Sequence, residues 1–216
     1  MKSVLVIGAG QFGTHIAQRM EELHCEVMAI DIDEDSINDI LPYVTDAKIG
    51  DGTNEDFLRT LGIDNFDVCF VTLGRHFQTS LETTSLLSEL GAKRVISRAT
   101  NDVQMKFLLR NGADEVVYPE KQTAHRIATK YASDNILDLF HLEKDYYIYE
   151  LEVPKDWYGK SIVQVDVRKR FNINILTMKR GDKVMIPDAN TVIQPADIAF
   201  VLGELKDIQK ALNYRR

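Results

Sequence analysis

The chain has 216 residues, 44% of them hydrophobic, enough for one sizeable core and a smaller second one. A formal net charge of −7 and a pI near 5.3 argue against nucleic acid as a main partner, since phosphate backbones are held by basic faces. Cys25 and Cys69 form no C-x-x-C pair, no apolar run approaches a membrane span, and the start has no signal-like core, so a soluble cytosolic protein without a zinc or thiol-redox site is expected.

In chain order, Val4-Leu5-Val6-Ile7 reads as a strand that runs into Gly8-Ala9-Gly10-Gln11-Phe12-Gly13 and then a helix. A second apolar stretch, Val27-Met28-Ala29-Ile30, ends at Asp31, eighteen residues after Gly13. Strand, G-x-G-x-x-G turn, helix, strand and acid together read as a nucleotide-binding unit, the alternative being a purely structural glycine turn. Gly8 permits the tight turn, Gly10 lets the backbone approach a diphosphate, and Gly13 lets the helix pack on the strand. The free N–H groups and positive dipole end of the helix face the phosphates. Asp31 is placed for ribose hydroxyls and would repel a 2′-phosphate, so NADP is disfavoured.

The alternation continues with a short strand at 47–49 leading to Gly50-Asp51-Gly52-Thr53, and a helix over 54–61 stopped by Gly62. Residues 67–73 are nearly all apolar, as in a central parallel strand, and 76–90 is a helix with Leu81, Leu86, Leu87 and Leu90 inward. A strand at 94–98, a helix over 102–110 and a sixth strand at 115–118 complete a Rossmann-like, doubly wound α/β sheet, with ligands expected at the carboxyl ends of its strands. Pro119 then starts a long helix, read as 121–139, whose end is apolar at Ile136, Leu137, Leu139 and Phe140. Strands at 146–153, 173–179, 183–186 and 198–202, with helices at 161–171 and 205–212, make a small α+β unit. Charge shifts near this boundary: residues 1–138 hold 13 basic against 22 acidic side chains, and residues 139–216 hold 13 against 11. The expected division is an N-terminal nucleotide-binding domain (1–120), a connecting helix (121–140) and a C-terminal domain (141–216).

The candidate chemistry gathers at strand ends. Asp51 and Thr53, with Gly52 between them, reach a base or ribose, or else form only a turn and helix cap. Leu73 and Gly74 sit where the second half of the crevice opens, and Arg98 is a cation facing it, for a phosphate or a structural ion pair. Glu120 is either a ligand for a hard cation bridging phosphates or a plain first-turn helix acid. Gly159-Lys160-Ser161 imitates a P-loop tail but lacks the upstream glycine, position 154 being Pro. No Tyr-x-x-x-Lys pair occurs, and the five histidines show no metal spacing. A small NAD(H)-dependent oxidoreductase is therefore the weaker rival reading.

These residues together resemble the RCK family, the cytosolic gating subunits of Ktr and Trk potassium uptake systems, over essentially the whole length. The resemblance rests on Gly8 to Gly13, Asp31, Gly50-Asp51-Gly52-Thr53-Asn54-Glu55, Val71-Thr72-Leu73-Gly74, Asn111-Gly112-Ala113-Asp114 and Tyr118-Pro119-Glu120. In the C-terminal domain it rests on Gly159-Lys160-Ser161-Ile162, Arg168, Ile175, Pro187, Ile193, Asp197 and Gly203. The resemblance implies homodimers assembled into an octameric ring, at the inner face of the membrane, beneath a membrane-embedded potassium-translocating subunit. It implies ATP and ADP competing for the crevice, with Mg2+ or another cation accompanying ATP, and NADH or NAD in some members. The ligand set carried over is Gly8, Gly10, Gln11, Phe12, Gly13, Asp31, Ile32, Asp51, Gly52, Thr53, Leu73, Gly74 and Arg98, with Glu120 at the metal. Many Ktr members have arginine where this chain has the uncharged Gln11, and often lysine at Arg98. Cyclic di-AMP is a second implied ligand, at Ile162, Arg168, Asn174, Ile175 and Pro187.

Overall fold

A computed structural model describes residues 1–74 and 76–212, divided into two compact units, Met1–Glu120 and Lys121–Arg216. The first unit alternates β1 (Ser3–Ile7), α1 (Gln11–Glu22), β2 (Glu26–Asp31), α2 (Glu34–Ile40), β3 (Asp46–Ile49), α3 (Glu55–Thr60), β4 (Val68–Val71), α4 (Phe77–Glu89), β5 (Val95–Arg98), α5 (Asp102–Arg110) and β6 (Glu115–Val117). The strands are parallel in the order β3-β2-β1-β4-β5-β6. This is the doubly wound sheet expected from the sequence.

Alternate residues of β1 serve opposite faces: Leu5 and Ile7 join Leu58, Cys69, Leu87 and Val95, whereas Val4 and Val6 join Ala17, Val27, Ile37 and Ile40. Short polar side chains start several helices. Asp33, Asn54 and Asn101 accept the N–H groups of Ser36, Phe57 and Gln104 at the heads of α2, α3 and α5. The sequence reading gave no helix at 34–40; the Asp33 cap and the buried pair Ile37 and Ile40 account for it.

Chain order reverses direction between β1 and β4, where Ile7 pairs with Ile30 on one side and Val71 on the other. Gly8, Asp31 and Thr72 therefore leave the sheet at one level. A crevice opens there, as in other sheets with a topological switch point.

The second unit contains most of α6 (Pro119–Tyr131), then β7 (Ile136–Glu143), β8 (Tyr146–Glu152), α7 (Ile162–Val165), α8 (Val167–Phe171), β9 (Asn174–Arg180), β10 (Lys183–Met185), β11 (Ile198–Glu204) and α9 (Leu205–Leu212). Its antiparallel sheet has the order β10-β9-β11-β8-β7 over a core of Tyr149, Leu151, Trp157, Phe171, Ile173, Met178, Ile193 and Ile208. The buried Asp197 ties this unit together, taking the Nε and Nη2 fork of Arg180 at 2.7 and 2.8 Å and the Gln194 N–H at 2.8 Å.

Two expectations are corrected here. The helix read as 121–139 ends at Tyr131, and its apolar tail is strand β7, paired with β8. The helix read over 161–171 is two short helices, because Asp166 between them adopts the left-handed region at φ 52°.

Candidate functional site

The crevice over the strand ends of the first unit has a volume of about 1810 Å³, room enough for a ligand of dinucleotide size. Its floor is the turn from β1 into α1. Gly8 has φ +105°, and a Cβ there would lie 2.7 Å from Thr72 Oγ1. A Cβ on Gly13 would lie 1.9 Å from the Gly8 carbonyl oxygen, so this glycine lets α1 pack on the strand end. Gly10 differs from both: φ −68° and ψ 178° suit any residue, and a Cβ there would meet nothing within 4 Å. It is the N-cap of the twelve-residue α1, with no side-chain cap and no acid in the first turn. The first amide groups of that helix are left for a partner from the crevice.

The turn is held from both sides. Asp31 Oδ2 accepts the Ala9 N–H at 2.6 Å and its Oδ1 accepts the Asp33 N–H at 3.0 Å. A carboxylate has about four lone-pair sites, so Asp31 keeps capacity for hydroxyl donors. Just after β4, Thr72 Oγ1 lies 2.6 Å from the Gly8 carbonyl and 3.0 Å from that of Ile7, donating into the pair. Exposed Ile32 borders the crevice beside Asp31. After β3, Asp51 Oδ1 accepts both the N–H and the hydroxyl of Thr53, at 2.9 and 2.7 Å. Both side chains also line the crevice, so the turn and the lining are one structure.

At the other end lie Leu73, Gly74, Phe12 and Arg98. The Arg98 guanidinium stands 5.4 Å from the Phe12 ring centroid and pairs with Glu120. Burial pushes the Glu120 carboxyl up, but its own backbone N–H and the Arg98 guanidinium outweigh that and hold it below the usual carboxylate range. Among the described residues no three His, Cys, Asp or Glu side chains group to hold a metal, so a cation at Glu120 would need ligand oxygens to complete its shell.

The lining thus includes Gly8, Gly10, Gln11, Phe12, Asp31, Ile32, Asp51, Thr53, Leu73, Gly74, Arg98 and Glu120. Gly13 and Gly52 shape the wall from behind; a Cβ on the buried Gly52 would lie 2.8 Å from Ile7 Cγ2. Sequence reasoning missed Asp33, Asp39, Thr72 and Glu82, which also line it. Thr72 had a signal, a hydroxyl just after a buried strand beside the glycine turn. Glu82 had none, since it sits mid-helix on α4. Six carboxylates, those of Asp31, Asp33, Asp39, Asp51, Glu82 and Glu120, face the crevice, against the guanidinium of Arg98 among the described lining residues. Such a rim opposes added ligand charge at the Asp31 end.

In the second unit, Arg168 Nη2 donates to Asn174 Oδ1 at 2.8 Å, while Ile162 and Ile175 pack half-buried on the same core and Pro187 follows β10. No helix among the described residues is long and apolar enough to cross a membrane.

Residues 4–119 match the TrkA-N domain and residues 147–215 the TrkA-C domain. The chain is 39% identical over 210 residues to the Ktr system potassium uptake protein C of Bacillus subtilis (strain 168), covering 97% of this chain and 95% of that protein. It is 35% identical over 213 residues to the Ktr system potassium uptake protein A of the same organism, covering 98% and 96%. Among solved structures, the GsuK RCK domain superposes with a TM-score of 0.68 at 18% identity, over 99% of this chain and 47% of that one, a likeness of fold.

Proposed function

The chain belongs to the family defined by the TrkA-N and TrkA-C domains, and on that footing we propose that it is the nucleotide-sensing regulatory subunit of a Ktr- or Trk-type potassium uptake system, not an enzyme. The observation that carries the nucleotide is Gly10. Neither its backbone angles nor any neighbour within 4 Å requires a glycine, and it stands over the uncapped head of α1. What requires it comes from outside the chain: phosphate oxygens that approach the backbone of the turn.

In this reading the amides of α1 and Arg98 bind the phosphates, Asp31 accepts from the ribose, and Asp51, Thr53, Leu73 and Gly74 line the base side. Gln11 donates hydrogen bonds without adding charge. ATP and ADP are the competing occupants, NAD(H) is the rival, and Glu120 supplies one carboxylate to a Mg2+-type ion accompanying ATP. The protein works at the inner face of the membrane, as homodimers in an octameric ring under a membrane-embedded potassium pore. A nucleotide moves that ring only by its difference in affinity between two ring shapes. Cyclic di-AMP is the proposed second ligand, at Ile162, Arg168, Asn174, Ile175 and Pro187.

The test is titration of nucleotide-stripped protein with ATP, ADP, NADH and NAD, following heat and assembly mass together. Uptake of ATP and ADP by a particle of octamer mass is expected. No uptake of any nucleotide overturns the reading, and a dimer binding NADH alone replaces it with the dinucleotide one. A separate titration that gives no heat with cyclic di-AMP removes the second ligand.

A further inference from the structure

Arg98 is wedged between three segments of the first unit. Gly74 lies so near that a Cβ there would be 2.8 Å from Nη1 and 3.1 Å from Cζ, the Phe12 ring covers another side, and Glu120 takes Nη2 through Oε1. The side chain is 22% exposed, and its Nε is buried without a hydrogen-bond partner. Two other arginines show what a complete pairing looks like in this protein. Arg180 and Arg126 each present the Nε and Nη2 fork to both oxygens of one carboxylate, Asp197 and Asp138. At Arg98 the same fork is half used: Nη2 is taken and Nε is not. A buried N–H without an acceptor is costly, and a guanidinium fork matches two oxygens of one anionic group.

We propose that the Glu120 carboxylate is a built-in competitor at Arg98, an internal anion that a nucleotide phosphate must displace to take the fork. This rests on the nucleotide reading above and adds a selection rule to it. A phosphate brings more acceptor oxygens and more charge than a carboxylate, so it fills the fork that Glu120 half fills. The displaced carboxylate stays in the first turn of α6, where the helix dipole favours it, so its release is inexpensive. A ligand whose phosphates do not reach Arg98 leaves Glu120 in place. Where no divalent ion engages Glu120, it thereby weakens every phosphate that contacts Arg98 and leaves other ligands unaffected, which makes it a specificity-determining residue.

The experiment is calorimetric titration of ADP and ATP into full-length wild type, E120Q, R98M and R98M/E120Q, with EDTA present so that no divalent ion uses Glu120. Circular dichroism checks that each variant is folded. With one exposed partner in the pair, E120Q is expected to bind about three- to fivefold more tightly than wild type. In the R98M background the same change is expected to alter affinity less than about twofold, because the competitor has lost its target. Weaker or unchanged binding by E120Q overturns the inference. So does an equal gain with and without Arg98, which would mean that only overall charge had changed. Failure of wild type to take up any nucleotide would instead strike the reading beneath it.

Discussion

Gly10→Ala separates ligand recognition from folding, and the structure sets both magnitudes. The added methyl meets nothing within 4 Å, and the backbone at φ −68° and ψ 178° accepts it. Alanine is a poorer N-cap than glycine by roughly 0.5–1 kcal/mol. It also restricts the unfolded chain, worth about 0.4–1 kcal/mol in the opposite sense. The two offset, so ligand-free stability should stay within about 0.5 kcal/mol and the melting temperature within about 2 °C. Binding should respond differently, because the methyl stands between the α1 amides and the phosphate oxygens. Loss of one hydrogen bond to a charged group costs about 1.5–3 kcal/mol, which weakens binding roughly 10- to 150-fold. Melting curves of stripped wild type and variant across an ADP series read both effects at once, since stabilisation follows the ratio of free ligand to Kd. The two ligand-free curves should coincide, with the variant needing 10- to 150-fold more ADP for the same shift, by the same roughly estimated loss. A variant melting several degrees lower without ligand would show that the glycine serves the fold. An unchanged ADP response would show that nothing approaches Gly10, and would refute the reasoning.

Gly13→Ala is the counterpart: its Cβ would lie 1.9 Å from the Gly8 carbonyl oxygen, so chemical denaturation should show a loss of about 1–3 kcal/mol or more with or without nucleotide. A loss under about 0.5 kcal/mol would contradict the close packing of α1. Asp197→Ala leaves Arg180 with the Val192 carbonyl but no carboxylate and removes an acceptor at a buried position, and should destabilise the second unit by about 3 kcal/mol. Fluorescence of Trp157, the single tryptophan, reports that unit, and an unshifted Trp157 transition would count against the staple. The Arg126 fork, opposed by burial, holds the Asp138 carboxyl at about 2. Because the folded value is depressed, the stabilisation is complete above about pH 4 and fades as pH falls toward 2. Wild type and D138N should therefore differ in stability at pH 7 and converge as the pH falls from about 4; an undiminished gap near pH 2.5 would refute the assignment. Burial pushes the Cys69 thiol up to about 12, so iodoacetamide followed by mass spectrometry should find native protein alkylated at half-exposed Cys25 and not at Cys69. Equal labelling of the two would overturn that order.

The first unit was legible because its strands are continuous apolar runs and its turns carry glycines with distinct tasks. The helix expected over 132–139 is absent for a physical reason. Strand β7 has register irregularities between Ile136 and Asp138 and between His141 and Glu143, so its inward residues Ile136 and Leu139 fall three apart, a helical spacing. Ser133, Asp134 and Asn135, just before it, were the turn signal that would have stopped the helix. The split between α7 and α8 turns on Asp166 entering the left-handed region, which aspartate tolerates but does not announce. In the crevice, residues next to strand ends were within reach of sequence reasoning. Glu82, from the middle of α4, became visible only once the helix was laid against the sheet.

The clasp on the glycine turn, Asp31 from one side and Thr72 from the other, is made by the chain's own groups. A turn preorganised in this way costs an incoming nucleotide little ordering entropy, and it offers the same amides to each one. It therefore governs how strongly nucleotides as a class are held. A contact that every ligand shares cannot distinguish one nucleotide from another, however strong it is. On the proposal made for Arg98, discrimination among nucleotides falls instead to the end of β5, where the guanidinium holds Glu120.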